Sequence, residues 1–431
     1  MNESPPSMLP PVLLAAALLL ASSPARALQP LDAFQRAARS SNHAMREASL
    51  VADQRSDEAR VELGRLLPGA TVMGTYTRNQ VEVSVARPAA NGQTERAIIA
   101  PLDQLDATFS LRVPVIDVGG WLRLGAARVS EMAARHRAEA VAADEQAEIA
   151  RHYYGLVGAR WLEDATARAL TAAEQNLAVV EQRREVERAL ETDVLRARAE
   201  LERARRTVAE VAMQARAARR ALWTATGLEP EGGTPELEVP ASSEAPRVDA
   251  RALAFGTVAV AAAEAEASAA DRTRQSAWAA FAPVVSASVS ERLTNATGFA
   301  GRVAFFTAQV SAVWSLDYTS YAQARARSSA AALARVRSER AASLQADLIA
   351  DAADRLEVQG VRARAATAEE AAAARAVGLF RDRLASGTGT MLEVVQAERD
   401  ALAATAGRIQ AAADLAYARV LYDARIRRAE R

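Results

Sequence analysis

From Val115 to Glu229 the chain contains no proline, and its apolar residues keep a helical period throughout. Val194, Ala197, Leu201, Ala204, Val208, Val211, Ala215, Ala218 and Leu222 follow one another at alternating spacings of three and four. A period of about 3.5 residues is that of a coiled-coil seam and implies left-handed supercoiling. The stretch is therefore predicted to be one very long helical hairpin with its tip near 189–192. The seam returns two hundred residues later, at Val394, Ala397, Ala401, Ala404, Arg408, Ala411, Leu415, Ala418 and Tyr422, where only Arg408 interrupts it. The chain reads as a tandem duplication of one long-hairpin unit.

Other segments change period. Leu28–Arg65 is helical in pattern and is stopped by Leu67-Pro68-Gly69. Thr71–Thr77 then alternates, with Val72, Gly74 and Tyr76 on one side and mostly threonines opposite. A polar loop follows to about Asp106. Ala107–Val115 alternates again, with Phe109, Leu111 and Val113 set against Ser110 and Arg112. Each alternating run is long enough to cross an outer membrane when tilted. After a Gly- and Pro-rich stretch the order restarts. A helix is expected over Val248–Ala280, a strand from Val285, and a fourth strand through Ala308, Val310, Ala312 and Trp314. The second strand pair has a shorter loop. Asp317 stands two hundred residues after Asp117 at the same junction of strand and helix.

These patterns divide the chain into a signal peptide, 1–27; a first repeat, 28–226; a linker, 227–247; and a second repeat, 248–431, with its tip near 387–390. The signal reading rests on the apolar run PVLLAAALLLA followed by Ala25-Arg26-Ala27, too short for a membrane-spanning helix and followed by a small-residue cleavage site. Helix lengths fit a common architecture. The arm 119–188 spans about 105 Å, while 29–65 and 193–226 span about 55 and about 51 Å. Two short helices stacked end to end thus match one long one, and the second repeat gives the same arithmetic.

Composition narrows the function. Half the residues are hydrophobic but only 5% are aromatic, and the abundant alanine favours helix while filling little core volume. Lysine plus arginine equals aspartate plus glutamate, 53 each, which gives a nucleic-acid partner no electrostatic support. The absence of cysteine excludes disulfides, thiolate metal sites and a lipidated N-terminal cysteine. No cofactor or metal-ligand spacing is present, and no catalytic constellation. Tyr153, Tyr154 and Trp161 read as packing residues.

Four strands cannot close a membrane barrel, since the smallest has about eight, and open strand edges are not tolerated in lipid. Three copies would supply twelve strands. The expected fold is mainly α with a membrane β-barrel portion: a trimeric, twelve-stranded barrel continuous with a long α-helical barrel.

At this point the chain resembles the TolC family of outer-membrane efflux proteins over essentially all of its mature length. The resemblance is carried by the duplicated order of helix, two strands and helical hairpin, and by Leu67-Pro68. It is carried further by Val113-Pro114-Val115-Ile116-Asp117-Val118-Gly119-Gly120, and by the second tip from Phe380 to Ala397. It implies a homotrimeric duct in the outer membrane, its helical barrel in the periplasm, serving a tripartite efflux or type I secretion system. Its implied partners are a periplasmic adaptor, an inner-membrane pump of RND or ABC type, and outer-membrane lipid. It also implies a pore gate at the periplasmic tip. Glu393 matches the first acid of the family's D-V-L-D-A motif, Gln396 stands where the second acid would be, and Asp193 matches an acid of the first hairpin. The arginine and tyrosine of the family's closed-state lock fall at Gly389 and Leu384, so that lock is absent or built otherwise. A carboxylate in the first turn of a helix also serves simply as a cap. The competing reading is a structural periplasmic coiled-coil protein without a pore, which has no use for membrane-length strands. An adaptor would carry a single hairpin.

Overall fold

The helical period expected over Leu28–Arg65 resolves into two helices in the computed structural model, which describes residues 28–88, 94–187, 189–234, 249–314 and 316–428. The signal segment 1–27 and most of the linker lie outside the described residues. α1 (Leu31–Ser41) buries Phe34 and Ala38 and ends at Asn42, whose backbone is extended at φ −67°, ψ 125°. Asn42 Oδ1 accepts the amide of Met45 at 3.1 Å, and its side-chain NH2 donates to Glu145 Oε2 at 2.9 Å. Asparagine is a strong N-cap, so it starts α2 (His43–Gly64) afresh. The helix expected over Val248–Ala280 likewise becomes α5 (Ala250–Ala254) and α6 (Val258–Ala279), separated at Gly256 with φ +89° and the buried Thr257. Both corrections have one cause: a short break leaves the apolar period on either side in phase.

The strands also differ from expectation in one place. β1 (Gly69–Arg78) is followed by a hairpin, β2 (Val83–Pro88) and β3 (Thr94–Ala100), inside what the sequence reads as a polar loop. Val81, Val83 and Val85 alternate with Glu82 and Ser84 there, and Ala97-Ile98-Ile99-Ala100 is a short apolar run, strand signals hidden in the sequence by Pro88, Asn91 and Gly92 between them. β4 (Asp103–Ile116) consequently starts at Asp103 rather than Ala107. With β5 (Val284–Thr294) and β6 (Ala304–Val313) it forms one antiparallel sheet in the order β1-β4-β5-β6.

Two helices of 68 residues follow the strand pairs, α3 (Val118–Glu185) and α7 (Tyr318–Ala385). Their return arms are α4 (Glu191–Thr226) and α8 (Met391–Arg425). α3 ends before the first tip position read from sequence, whereas the second tip falls between α7 and α8 around Gly387–Thr390. α2 and α6 begin 215 residues apart (43 and 258), and α3 and α7 begin 200 apart (118 and 318). The difference falls at the strand pairs, where the second pair lacks a counterpart of β2–β3 among the described residues.

The chain divides into two units. The first comprises the described part of Met1–Arg46 with Val141–Leu253 and Ala346–Arg427. Its core joins Phe34, Ile149, Leu156, Val157 and Leu222 in one cluster and Leu356, Ala363, Leu415 and Tyr422 in another. Burying such a Leu, Ile or Phe side chain stabilises by roughly 1.5–3 kcal/mol each. Tyr153 belongs to the first cluster, 5.8 Å from the Phe34 ring, and Tyr154 and Trp161 pack against it. On α4 the seam residues Val194, Ala197, Leu201, Val211, Ala215 and Leu222 are buried; on α8 Val394, Ala397, Ala404, Ala411, Leu415, Ala418 and Tyr422 are. Arg408, the break in that seam, forms an ion pair of 2.5 Å with Glu370 on α7. The second unit comprises Glu47–Ala140, Ala254–Gln345 and the C-terminal end, and holds the sheet. Among the described residues no helix is long and apolar enough to cross a membrane.

Candidate functional site

The second hairpin tip is fixed by its own backbone. Gly387 takes φ +78°, and the amides of Thr388 and Gly389 both donate to the Arg383 carbonyl, at 2.9 and 3.0 Å. Thr390 then caps α8. Its amide donates to Glu393 Oε2 at 2.7 Å, its hydroxyl lies 3.1 Å from the same oxygen, and the Glu393 amide donates back to the hydroxyl at 3.4 Å. This is a reciprocal capping box. The Thr390 amide, then its hydroxyl, hold the Glu393 carboxyl below the usual carboxylate range, with the Arg383 guanidinium 3.8 Å away adding to the effect. A Cβ on Gly389 would sit 3.0 Å from Arg383 Cβ. That crowding leaves no ready room for the arginine which the resemblance puts there. Gln396, one turn further along α8, is exposed.

Asp193 occupies the corresponding place at the first tip but with a looser set of partners. It accepts the Leu190 amide at 3.3 Å and stands 3.9 Å from Arg196. Glu187 in this tip adopts φ +58°, a conformation that costs a non-glycine residue energy. Glu393 and Gln396 share consecutive turns, whereas no polar contact among the described residues joins Asp193 to either. All three are thus placed at or beside helix starts, and both acids cap.

Sequence reading missed the bridges one turn beyond this motif. Glu398 accepts from Arg381 at 2.7 Å and from Asn176 at 2.6 Å, joining α8 to α7 and α3. Arg399 donates to Glu200 through Nε at 2.9 Å, and Arg203 shares that carboxylate at 2.5 Å, joining α8 to α4. Glu200, Glu398 and Arg399 also line a cavity of about 540 Å³ walled by alanines with Leu162, Val211 and Leu402. Some of these pairs had a signal. Arg381 and Glu398, like Glu370 and Arg408, stand nearly equidistant from Gly389, as an antiparallel hairpin requires. The contact of Glu200 with Arg399 had none, because it depends on how one hairpin packs on the other.

In the second unit the sheet has two unlike faces. Direct cross-strand neighbours share a face, and the register sets Ala70, Leu111, Val289 and Ala308 in one row and Gly74, Ala107, Leu293 and Ala304 in another. This face is apolar and exposed, with Phe306 and Val310 more than 70% accessible. It is interrupted by Glu291 between Phe109 and Phe306, and Arg78 pairs with Asp103 at its end, 2.6 Å apart. The opposite face carries Thr71, Thr108, Ser110, Arg112, Ser288, Ser290, Thr307 and Gln309. β1 and β6 are the outer strands of the sheet. Beyond the strand ends Trp121, Trp314, Tyr318 and Tyr321 are exposed, and Trp278 packs edge-on to Tyr321 at 6.1 Å.

No family model and no curated protein matches this sequence. Solved structures do match. A membrane protein from Pseudomonas aeruginosa is 20% identical, with 92% of this chain and 93% of that one superposed at a TM-score of 0.76. The outer-membrane channel OprN is 19% identical over 92% of this chain and 89% of its own, also at 0.76. The open state of the Neisseria gonorrhoeae outer-membrane channel MtrE is 18% identical over 93% of this chain and 89% of its own, at 0.74. These likenesses establish the fold over nearly the whole chain.

Proposed function

The chain has the fold of the TolC-family outer-membrane channels, and from that premise we propose that three copies form a duct through the outer membrane. The observation that carries this reading is the open four-stranded sheet. Its strands are 10 to 14 residues long, its exposed face is apolar, and its edges β1 and β6 have no strand partner among the described residues. An edge in lipid must be paired. Pairing β6 of one copy with β1 of the next gives twelve strands in three copies and removes every edge. The polar face then lines the lumen, the apolar face meets lipid, and the exposed Trp and Tyr residues sit at the headgroup level where aromatic girdles occur.

The long hairpins form the periplasmic part, and the equal lengths of α2 and α6, 22 residues each, and of α3 and α7, 68 residues each, support the duplication read from sequence. At the tip, Glu393 from three copies makes an acidic ring, and Gln396 and Asp193 flank it. A periplasmic adaptor and an inner-membrane pump, of RND or ABC type, deliver the cargo for efflux or type I secretion. The role is transport rather than catalysis.

The test is fractionation followed by reconstitution. The protein made with its native N-terminus should sediment with outer membranes, require detergent for release, and open discrete conductance steps in planar bilayers. A protein released freely without detergent would favour the structural coiled-coil reading instead.

A further inference from the structure

Among the strand residues of the sheet's polar face, the charged side chains are Asp106, Arg112 and Arg292. Asp106 and Arg292 neutralise one another at 2.8 Å. Arg112 is left over. Its row across the sheet holds Gly69, Ser288 and Gln309. On its own strand Ser110 and Pro114 flank it on the same face. None of these is acidic, Arg112 is exposed, and no carboxylate among the described residues pairs with it. The nearest acid in sequence toward the helices, Asp117, is already engaged by the Gly120 amide at 2.7 Å and by Arg123 at 3.3 Å.

We propose that Arg112 forms a cationic ring inside the barrel that favours anions, a filter opposite in sign to the acidic tip. The proposal rests on the duct reading, since the ring exists only if three copies close with the polar face inward. Twelve strands spaced about 4.8 Å apart and tilted about 40° give a backbone radius of roughly 12 Å. An arginine reaching about 6 Å inward from that radius leaves its guanidinium about 6 Å from the axis. Three unit charges at that distance, in water screened over about 8 Å, concentrate monovalent anions on the axis about fivefold. Basic rings of this kind set anion preference in pores. At about 1 M salt, where screening acts over about 3 Å, the enrichment falls below twofold. Arg292 and its partner Asp106, two and three rows away on the same face, contribute little net field.

The experiment is the reversal potential of reconstituted channels under a KCl gradient, with the dilute side near 0.1 M. Because the ring that enriches chloride about fivefold depletes potassium by the same factor, Arg112→Gln should lower the chloride-to-potassium permeability ratio about 25-fold, and Arg112→Lys should keep it. An unchanged ratio in conducting Arg112→Gln channels would overturn the ring. Should that variant fail to assemble, Glu393→Ala channels carry the Arg112 ring without the acidic one. Their anion preference should then fall as KCl rises from about 0.1 to about 1 M, and a constant preference would also overturn the proposal. A wild-type protein that assembles no conducting channel would overturn the duct reading, and the ring with it.

Discussion

α4 and α8 carry the same seam spacing, yet they are buried differently. α4 buries one stripe, and its other faces leave Leu195, Met213 and Trp223 at least half exposed. α8 buries the stripe and a second face as well, through Ile409, Ala412, Ala413 and Ala416. That second face lies on α3: a Cβ built on Gly158 would meet Ala413 Cβ at 3.6 Å and Ile409 Cγ2 at 3.7 Å. α8 is therefore held between α3 and α7, whereas α4 buries a single stripe. The tips repeat the contrast, with a full capping box at Glu393 and a single amide contact at Asp193. The two return arms thus differ: one is embedded between neighbours, and the other keeps an open flank.

The seam is the feature both arms share, so damage to it should hurt both. Leu222→Ala and Leu415→Ala each remove a fully buried side chain and are each expected to cost about 2–5 kcal/mol. Urea unfolding of the detergent-solubilised protein reads this, and a loss confined to one arm would break the equivalence of the seams. The second face separates the arms. Ala413→Leu forces extra volume against Gly158 and should cost about 1–3 kcal/mol. Met213→Leu, at the matching position of α4, should change stability by less than about 0.5 kcal/mol. Equal effects at the two positions would mean that α8 is not embedded.

This difference is legible in the sequence. At matching positions α4 has Met213 and Arg216 where α8 has Ala413 and Ala416, so the second arm's extra small-residue face stood in the sequence. So did the strands of the four-stranded sheet, because a two-residue period admits no other element. Three features were not legible, for physical reasons. The breaks at Asn42 and Gly256 keep the helical phase, so the apolar period runs through them. The β2–β3 hairpin is short and flanked by turn residues that resemble loop. Arg408 looks like a defect until its antiparallel partner Glu370 is known. At the tips, the capping role of Glu393 and Asp193 follows from their position three residues past each N-cap, whereas a threefold ring requires neighbours that a single chain does not supply.

Smaller effects sharpen the contrast between the tips. Gly387→Ala places a Cβ on a residue at φ +78° and should cost about 1 kcal/mol. Glu187→Gly relieves the same conformation at the first tip and should gain a few tenths of that, about 0.5 kcal/mol. Differences in hydrogen exchange at the two tips would measure both, and a stabilising Gly387→Ala would contradict the turn geometry. Acid should loosen the second tip through Glu393. Its folded-state carboxyl is held below the ordinary value of 4.5, so its stabilisation is complete above that value and is lost as pH falls through the lowered one. Amide protection over Thr390–Val394 should therefore decline on acidification in the wild type and stay flat in Glu393→Gln. A flat wild-type profile would remove the capping box as its cause.

A barrel requires the edges of the sheet to be closed by other copies of the chain. The mass of the protein solubilised in mild detergent, with its β content measured on the same sample, tests this most directly. Three times the mass of the mature chain is expected, because three four-stranded sheets close a barrel and leave no open edge. A stable monomer or dimer that retains its full β content would contradict it.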